Sequence, residues 1–248
     1  MQTYSTEDIL ENYMNWWVGH TRETRQIHDR FLELRQAGLR QLAGSIERQV
    51  KTYRPLNSGT ERVLFTLDDL KEFATGSVVK CLGPEYAVYE GRKSLRIPNG
   101  ELLLMSRILS IRGYKGELEQ TSSIVAEYDV PTDAWYFEVE RRGRLPYSIC
   151  IELALQPCGV LSAYLGTPLR FPEVDYSFRN LDGETMFTQL VDARGKTVRA
   201  QAVLLKTIFY GSTIIQHFSF ELLCDGKIFF EGKSSFGYFS AEAMAGQA

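Results

Sequence analysis

A single charged residue inside a long apolar run is the strongest sign of chemistry in this sequence. From Pro146 to Leu165, apolar residues recur at helical spacing with apolar or small residues between them, which predicts a helix that is buried on all sides. Glu152 is the only charge in that run, and Gln156 follows one helical turn later on the same face. Because a buried carboxylate without a partner is costly, Glu152 requires either a hydrogen-bonding partner or a chemical task.

Both polar residues also have a purely structural interpretation. A task in acid–base catalysis is one interpretation of Glu152, and the alternative is an acid that bridges groups inside a subunit interface. Gln156 either assists that carboxylate or satisfies backbone groups where Pro157 frees a carbonyl one turn back. The residues alone leave these alternatives open.

The composition is that of an ordinary globular protein of 248 residues, with 44% hydrophobic and 24% charged residues. The 28 basic and 31 acidic residues give a net charge of −3, which argues against a nucleic-acid partner bound through bulk charge. The N-terminal residues are acidic and polar, unlike a signal peptide, and no apolar stretch is predicted to reach the length of a bilayer. We therefore expect a cytoplasmic protein with no membrane or nucleic-acid partner.

The cysteines do not form a recognisable site. Cys81, Cys150, Cys158 and Cys224 include no CxxC pair, so free thiols in a reducing compartment are predicted rather than a metal site or a disulfide framework. No base is evident near Cys150 or Cys158 that would activate either thiol. We expect no metal and no cofactor.

A helical leader over residues 1–60 is predicted to precede the main domain. Apolar residues mostly three or four apart run from Ile9 to Val50 on an otherwise charged segment, and Tyr53–Thr60 has the composition of a linker. A break near Gly19 leaves one long helix and two consecutive helices as alternatives.

Strands dominate residues 61–240, which we assign to one domain, with a short tail over residues 241–248. A short helix with Thr66 at its start is predicted to end near Gly76. The predicted strands are Glu101–Arg112, Glu117–Val130, Ala134–Val139, Tyr176–Phe178, Thr185–Asp192, Thr197–Tyr210, Thr213–Leu223 and Lys227–Tyr238. One buried helix among these strands predicts an α+β fold, with an antiparallel sheet wrapped around a central helix and an N-terminal helical extension.

Several strings of residues in this domain carry a family resemblance: Glu127-Tyr-Asp-Val-Pro, Ala134-Trp-Tyr-Phe, Leu145-Pro-Tyr-Ser, Glu152-Leu-Ala-Leu-Gln-Pro-Cys-Gly, Ser162-Ala-Tyr-Leu-Gly and Phe178-Arg-Asn-Leu-Asp-Gly. Together they resemble the hot-dog-fold dehydratase domains of polyunsaturated-fatty-acid and heterocyst-glycolipid-type synthases. More distantly, the chain is similar to the hydroxydecanoyl-carrier-protein dehydratase of bacterial fatty-acid synthesis. The resemblance implies a hot-dog fold and the removal of water from a 3-hydroxyacyl thioester. In that family the substrate is held on the phosphopantetheine arm of an acyl carrier protein.

The resemblance also implies roles for particular residues. The family's carboxylate on the central helix falls on Glu152, and the polar residue one turn later falls on Gln156. Tyr147 stands where the family has the glycine that opens this helix, so its amide is the predicted donor to the thioester carbonyl. The family's histidine is replaced by Glu140, and a carboxyl with an ordinary pKa of about 4.3 is a poor base near neutral pH unless burial raises that pKa.

We therefore predict half of a dehydratase site, which a histidine on a partner subunit or on another synthase domain completes. The implied setting is fatty-acid or polyketide synthesis, with an acyl carrier protein as partner. Hot-dog folds pair, so a homodimer or a heterodimer with a second hot-dog subunit is expected. The alternatives are a catalytically silent hot-dog scaffold or acyl-binding subunit, and an acyl thioesterase that uses a helix carboxylate without a histidine.

Other candidate residues have simpler interpretations. Arg141, Arg142 and Arg144 suit an acidic carrier protein or its phosphate, although a solvated turn is the simpler interpretation. His217 lies on the polar side of a predicted strand and is expected to be an ordinary surface histidine.

Overall fold

A computed structural model describes residues 63–93, 95–139 and 144–245. The predicted helical leader lies outside these described residues, and so do Glu140, Arg141 and Arg142 of the charged turn. What the sequence predicts for them stays a prediction.

A six-stranded sheet forms the body of the described domain. Its strands are β1 Arg107–Arg112, β2 Ser122–Asp129, β3 Ser177–Phe187, β4 Thr197–Tyr210, β5 Thr213–Cys224 and β6 Lys227–Phe239. The spatial order is β1-β2-β4-β5-β6-β3, and each neighbouring pair is antiparallel. Strands β1 and β3 therefore lie at the two edges of the sheet.

Strand β5 shows how the sequence gives this sheet one buried face. Phe218 and Phe220 are buried, whereas His217, Ser219 and Glu221 alternate with them and are only partly buried. This period of two is the expected pattern of an antiparallel strand with one face on the core, and the prediction for this strand is confirmed.

One long helix fills the buried face of the sheet. The helices are α1 Leu67–Thr75, α2 Val78–Leu82, α3 Tyr136–Val139, α4 Tyr147–Tyr164 and α5 Ala241–Ala245. Helix α4 packs against β2, β4 and β5, and 12 of its 18 residues are buried. An antiparallel sheet around a buried central helix is the predicted α+β hot-dog fold, which is confirmed.

The central helix corrects one expectation from the sequence. The run Tyr147–Arg170 is 24 residues long and, by length and composition alone, is apolar enough to cross a membrane. The expectation that no stretch reaches that length is therefore wrong. Its most apolar window is 72% buried inside the domain, so packing against the sheet accounts for its composition.

The segment Ala134–Val139, predicted as a strand, forms helix α3 instead. Strand geometry would place Trp135 and Phe137 on the face opposite Tyr136. The helical turn buries Tyr136, whose ring contacts both neighbouring rings and whose hydroxyl lies 3.3 Å from that of Tyr128. Tertiary packing of one aromatic side chain therefore overrides the β-propensity of the run.

The edge strand β3 joins two predicted strands, Tyr176–Phe178 and Thr185–Asp192, and ends at Phe187. The intervening residues 180–183 are exposed, because an edge strand here pairs only with β6. Because neither face of this stretch is buried, its residues show no apolar alternation. The sequence pattern therefore predicts two strands where the structure has one.

The segment before β1, which we call the entry segment, is anchored along the central helix. The Tyr86 hydroxyl donates to the Ala163 carbonyl, and the Tyr89 hydroxyl donates to the Pro168 carbonyl over 2.8 Å. These bonds fix the entry segment at the C-terminal end of α4. From there the chain runs back to the middle of the helix, where it meets Gln156.

Candidate functional site

Glu152 and Gln156 are in direct contact on α4. The Gln156 Nε2 atom donates a hydrogen bond to Glu152 Oε2 over 3.2 Å. Glu152 is partly exposed, and Gln156 is buried at 4% exposure. Among the residues that the structure describes, no cation pairs with this carboxylate, and its Oε1 atom receives no hydrogen bond. The carboxylate is thus held by a neutral amide and keeps one oxygen free.

The orientation of Gln156 is fixed by backbone on the other side. Its Oε1 atom accepts from the Leu104 amide over 3.0 Å, and its Nε2 atom donates to the Leu102 carbonyl over 2.7 Å. Both ends of the amide therefore have partners. Gln156 joins α4 to the entry segment and, through the same amide, restricts the rotation of Glu152.

Tyr147 begins α4 and anchors its first turn to the sheet. Its hydroxyl lies 2.9 Å from Thr185 Oγ1 on β3, and its ring contacts Phe187 and Phe230 at centroid distances of 6.3 and 6.0 Å. The preceding Pro146 supplies no side-chain cap, and the first amides of a helix lack acceptors within the helix. The predicted thioester donor thus belongs to a helix start held firmly against β3 and β6.

A cavity of about 190 Å³ opens at this helix start. It is lined by Arg144, Leu145, Pro146, Tyr147, Phe187, Gln189, Leu190, Val191 and Phe229. Glu152 and Gln156 are not part of this lining. Within one chain the structure therefore brings Glu152 and Gln156 together, and places Tyr147 apart from them beside the cavity.

Sequence reasoning missed this cavity, but one of its walls has a sequence correlate. Leu222 pairs with Phe230 and Leu223 pairs with Ile228, which leaves Phe229 as an extra residue in a β-bulge. Two adjacent buried phenylalanines interrupt the expected alternation of β6. Such an interruption is the one signal in the sequence of an irregular strand here.

The remaining side chains that could react either lie away from Glu152 or stay protonated near neutral pH. The His217 Nδ1 atom is 2.8 Å from Ser235 Oγ on the outer side of the sheet. Burial raises the pKa of the Cys150 thiol to about 12 and raises the pKa of the Cys158 thiol above its usual range, so neither thiol ionises near neutral pH. Within the described residues, no group of three histidine, cysteine or acidic side chains is arranged to hold a metal.

Comparison with solved structures finds chains of similar topology at low sequence identity. The dehydratase heterocomplex ApeI:P from Xenorhabdus doucetiae matches with 15% identity and a TM-score of 0.44, over 60% of this chain and 91% of that chain. A hypothetical thioesterase with coenzyme A from Streptococcus pneumoniae matches with 11% identity and a TM-score of 0.36, over 53% of this chain and 85% of that chain. No family model matches the chain.

A curated relative gives a closer match in sequence. One of the subunits of the polyunsaturated fatty acid synthase of Thraustochytrium sp. is 35% identical over 189 residues, which is 73% of this chain. The chain spans only 13% of that much longer relative. Together with the observed sheet and central helix, this match makes the chain a hot-dog-fold homologue of one segment of a polyunsaturated fatty acid synthase.

Proposed function

We propose that the chain is a dehydratase component that acts on 3-hydroxyacyl thioesters carried by an acyl carrier protein. The observation that carries this proposal is Glu152, the only charge on the central helix of a hot-dog fold, held by Gln156 with one carboxylate oxygen free. The homology to a segment of a fatty acid synthase supports the setting in fatty-acid or polyketide synthesis.

The reaction assigns a distinct task to each group. A base removes the proton from the α-carbon, the bond from the β-carbon to its hydroxyl breaks, and a double bond forms as water leaves. Glu152 protonates the departing hydroxyl from its free oxygen, and the Tyr147 amide binds the thioester oxygen on which negative charge develops. The α-proton goes to a histidine that this half-site lacks.

Two features favour a site shared with a partner subunit. Glu152 does not line the cavity beside Tyr147, so the carboxylate of one fold is free to serve the helix start of another. The single histidine in the described part of the chain, His217, contacts Ser235 on the outer side of the sheet rather than Glu152. A hot-dog partner that carries the histidine would complete the set of catalytic residues, in a homodimer or a heterodimer.

Reconstitution tests this proposal. The full chain is incubated with a 3-hydroxyacyl thioester on an acyl carrier protein, alone and with a histidine-bearing hot-dog subunit from the same synthase. We expect no α,β-unsaturated thioester from the chain alone, and turnover in the complex. Turnover by the partner at the same rate without this chain would contradict the proposal. Release of free thiol by the chain alone would instead identify a thioesterase.

A catalytically silent acyl-binding subunit is the second candidate. The observation that favours it is the pair of hydrogen bonds that the Gln156 amide makes to the backbone of Leu102 and Leu104, as expected of a structural amide. In that case Glu152→Gln changes the stability of the complex but leaves its turnover unaltered. The two candidates therefore differ in one measurable quantity, the dependence of turnover on the Glu152 carboxylate.

A further inference from the structure

The cavity at the start of α4 has a buried apolar floor and a more open rim. Phe229 and Leu145 are 2% and 5% exposed and form the inner wall, whereas Leu190 and Tyr147 are 60% and 57% exposed and lie at the rim. Arg144 adds a cation that no side chain of the described residues pairs with. Apolar walls with a few polar groups at one end suit an amphiphile whose apolar end points inward.

The walls are held in place by hydrogen bonds rather than by packing alone. The Thr188 amide donates to the Phe229 carbonyl over 3.0 Å. The Thr188 hydroxyl and the Gln189 side-chain Nε2 atom both donate to the Ile228 carbonyl, over 2.8 and 2.6 Å. Arg144 and Asp192 form a backbone bridge across the other side. Walls tied in this way are preformed, which lowers the cost of ordering them when a ligand binds.

A β-bulge in β6 places Phe229 in the cavity lining. Because Phe229 is the unpaired residue of that bulge, its side chain departs from the regular alternation and enters the cavity lining. Bulges are over-represented beside active sites, where they redirect a side chain. Phe230, the next residue, instead packs with Tyr147, Phe187 and Phe220 in an aromatic cluster.

The volume limits what the pocket accepts. A buried cavity of about 150 Å³ in another protein holds one benzene molecule, and the cavity here measures about 190 Å³. By that comparison it accommodates roughly six to eight carbon atoms. A short acyl chain fills this space, whereas a longer one gains no further buried contact in it.

We propose that this cavity receives the distal end of the substrate's acyl chain, that it limits the chain to about six carbons, and that Phe229 sets the limit. The inference rests on the proposed function, because it takes the thioester to lie at the Tyr147 amide beside the cavity. It adds the substrate class, a short 3-hydroxyacyl group, and the residue that selects it.

Binding, rather than turnover, tests this inference. Amide analogues of acyl-pantetheine with butanoyl, hexanoyl, heptanoyl, octanoyl and decanoyl chains neither hydrolyse nor lose water. Their affinities for the full chain are measured by titration calorimetry. From butanoyl to hexanoyl we expect affinity to rise about fourfold for each methylene, or about fifteenfold in total. From octanoyl to decanoyl we expect no further rise.

Substitution of Phe229 tests the residue assignment. The break in the series is the chain length beyond which affinity stops rising. Phe229→Ala should move this break to chains about three carbons longer. The milder Phe229→Leu, which is less disruptive to folding, should move it to chains about one carbon longer. Phe218→Leu is the matched control, since Phe218 is equally buried on β5 but does not line the cavity. Its series should break at the same chain length as that of the wild type.

Three results would overturn the inference: an affinity that rises steadily to decanoyl in the wild type, an unchanged break in Phe229→Leu, or tighter binding of free hexanoate than of the hexanoyl analogue. These results are separable from a failure of the proposed function. Glu152→Gln is expected to give the same affinities across the series. If the pocket binds acyl groups but no dehydration occurs, this inference is supported and the catalytic proposal is contradicted.

Discussion

The side-chain amide of Gln156 couples the stability of the fold to the position of Glu152. One buried amide accepts from Leu104, donates to Leu102 and donates to the carboxylate. The sequence predicted that Glu152 and Gln156, four residues apart on a helix, share one face, and the structure adds the contact between them. The backbone partners were not predictable, because Leu102 and Leu104 fall in the predicted strand Glu101–Arg112, whereas the observed strand begins only at Arg107 and leaves both residues outside it.

Loss of the Gln156 amide should therefore destabilise the fold. Gln156→Leu leaves the buried Leu104 amide without an acceptor, which costs about 1–3 kcal/mol of the free energy of unfolding. Urea denaturation measures this loss. Gln120→Leu, at an exposed position, serves as the control. Equal stability of the two variants would show that the Leu104 amide does not depend on Gln156.

A pair of like charges on the outer side of the sheet should oppose folding near neutral pH. Glu221 and Glu231 are direct cross-strand neighbours, and burial, with the charge of Glu231, raises the pKa of Glu221. A raised folded-state pKa gives stabilisation that is complete below the unfolded value of about 4.3 and is lost as pH rises through the folded value.

Removal of that charge should accordingly stabilise the protein in a pH-dependent way. We expect Glu221→Gln to raise the free energy of unfolding by up to about 1 kcal/mol at neutral pH, with the gain disappearing in acid. Urea titrations at several pH values measure it, and Glu117→Gln, at an exposed position, is the control. A gain that is constant with pH would contradict the charge explanation.

Helix α4 is fixed at its C-terminal half by a buried polar network. The Ser162 hydroxyl donates to Gln216 and lies 2.6 Å from the Tyr238 hydroxyl and 3.1 Å from Thr167 Oγ1. The Gln216 amide donates to Thr167 and Thr207 over 3.1 and 3.2 Å. Each of these groups finds a partner, so the network ties the helix to β5 and β6 at one register.

The network predicts a large difference between two serines of the same helix. Ser162→Ala leaves the Gln216 carbonyl oxygen without its donor and should lower the free energy of unfolding by about 1–3 kcal/mol. Ser148→Ala, in the exposed first turn, should change it by less than about 0.5 kcal/mol. Thermal denaturation of the two variants would contradict this account if their midpoints coincided.

Elements with one regular face were predictable, and those shaped by distant contacts were not. Thr66 and Asp69 form the capping box at the predicted start of α1, and α4 follows from its apolar spacing. Helix α3 depends on the packing of a single aromatic ring, and the bulge at Phe229 depends on the register between β5 and β6. The cavity could not be predicted from the sequence either, because its walls come from three segments that are distant in sequence.

The free edge of β3 is the surface best suited to pairing between domains. This strand has 11 residues and pairs only with β6 among the described strands, so a row of its backbone groups lacks strand partners. Leu181 and Met186 are 46% and 57% exposed along it. An exposed edge of this length offers these backbone groups to a strand of another chain.

Charge on this edge should reduce association with a second hot-dog domain. The double substitution Leu181→Lys and Met186→Lys is expected to shift the protein towards a monomer, since charged side chains, lysine above all, disfavour edge pairing. Sedimentation measures the mass of the full chain, alone and with its partner. The matched control is Leu102→Lys with Val88→Lys, at exposed positions away from the edge. Unchanged association in the β3 variant would place the interface elsewhere.

The dependence of turnover on one carboxylate tests the catalytic account most directly. The rate of dehydration is measured for the complex of this chain with its histidine-bearing partner, using the wild type, Glu152→Gln and the exposed control Glu119→Gln. The account predicts that Glu152→Gln lowers the rate by about a hundredfold or more while the substrate still binds, and that Glu119→Gln leaves it unchanged. A Glu152→Gln complex that turns over at the wild-type rate would contradict it.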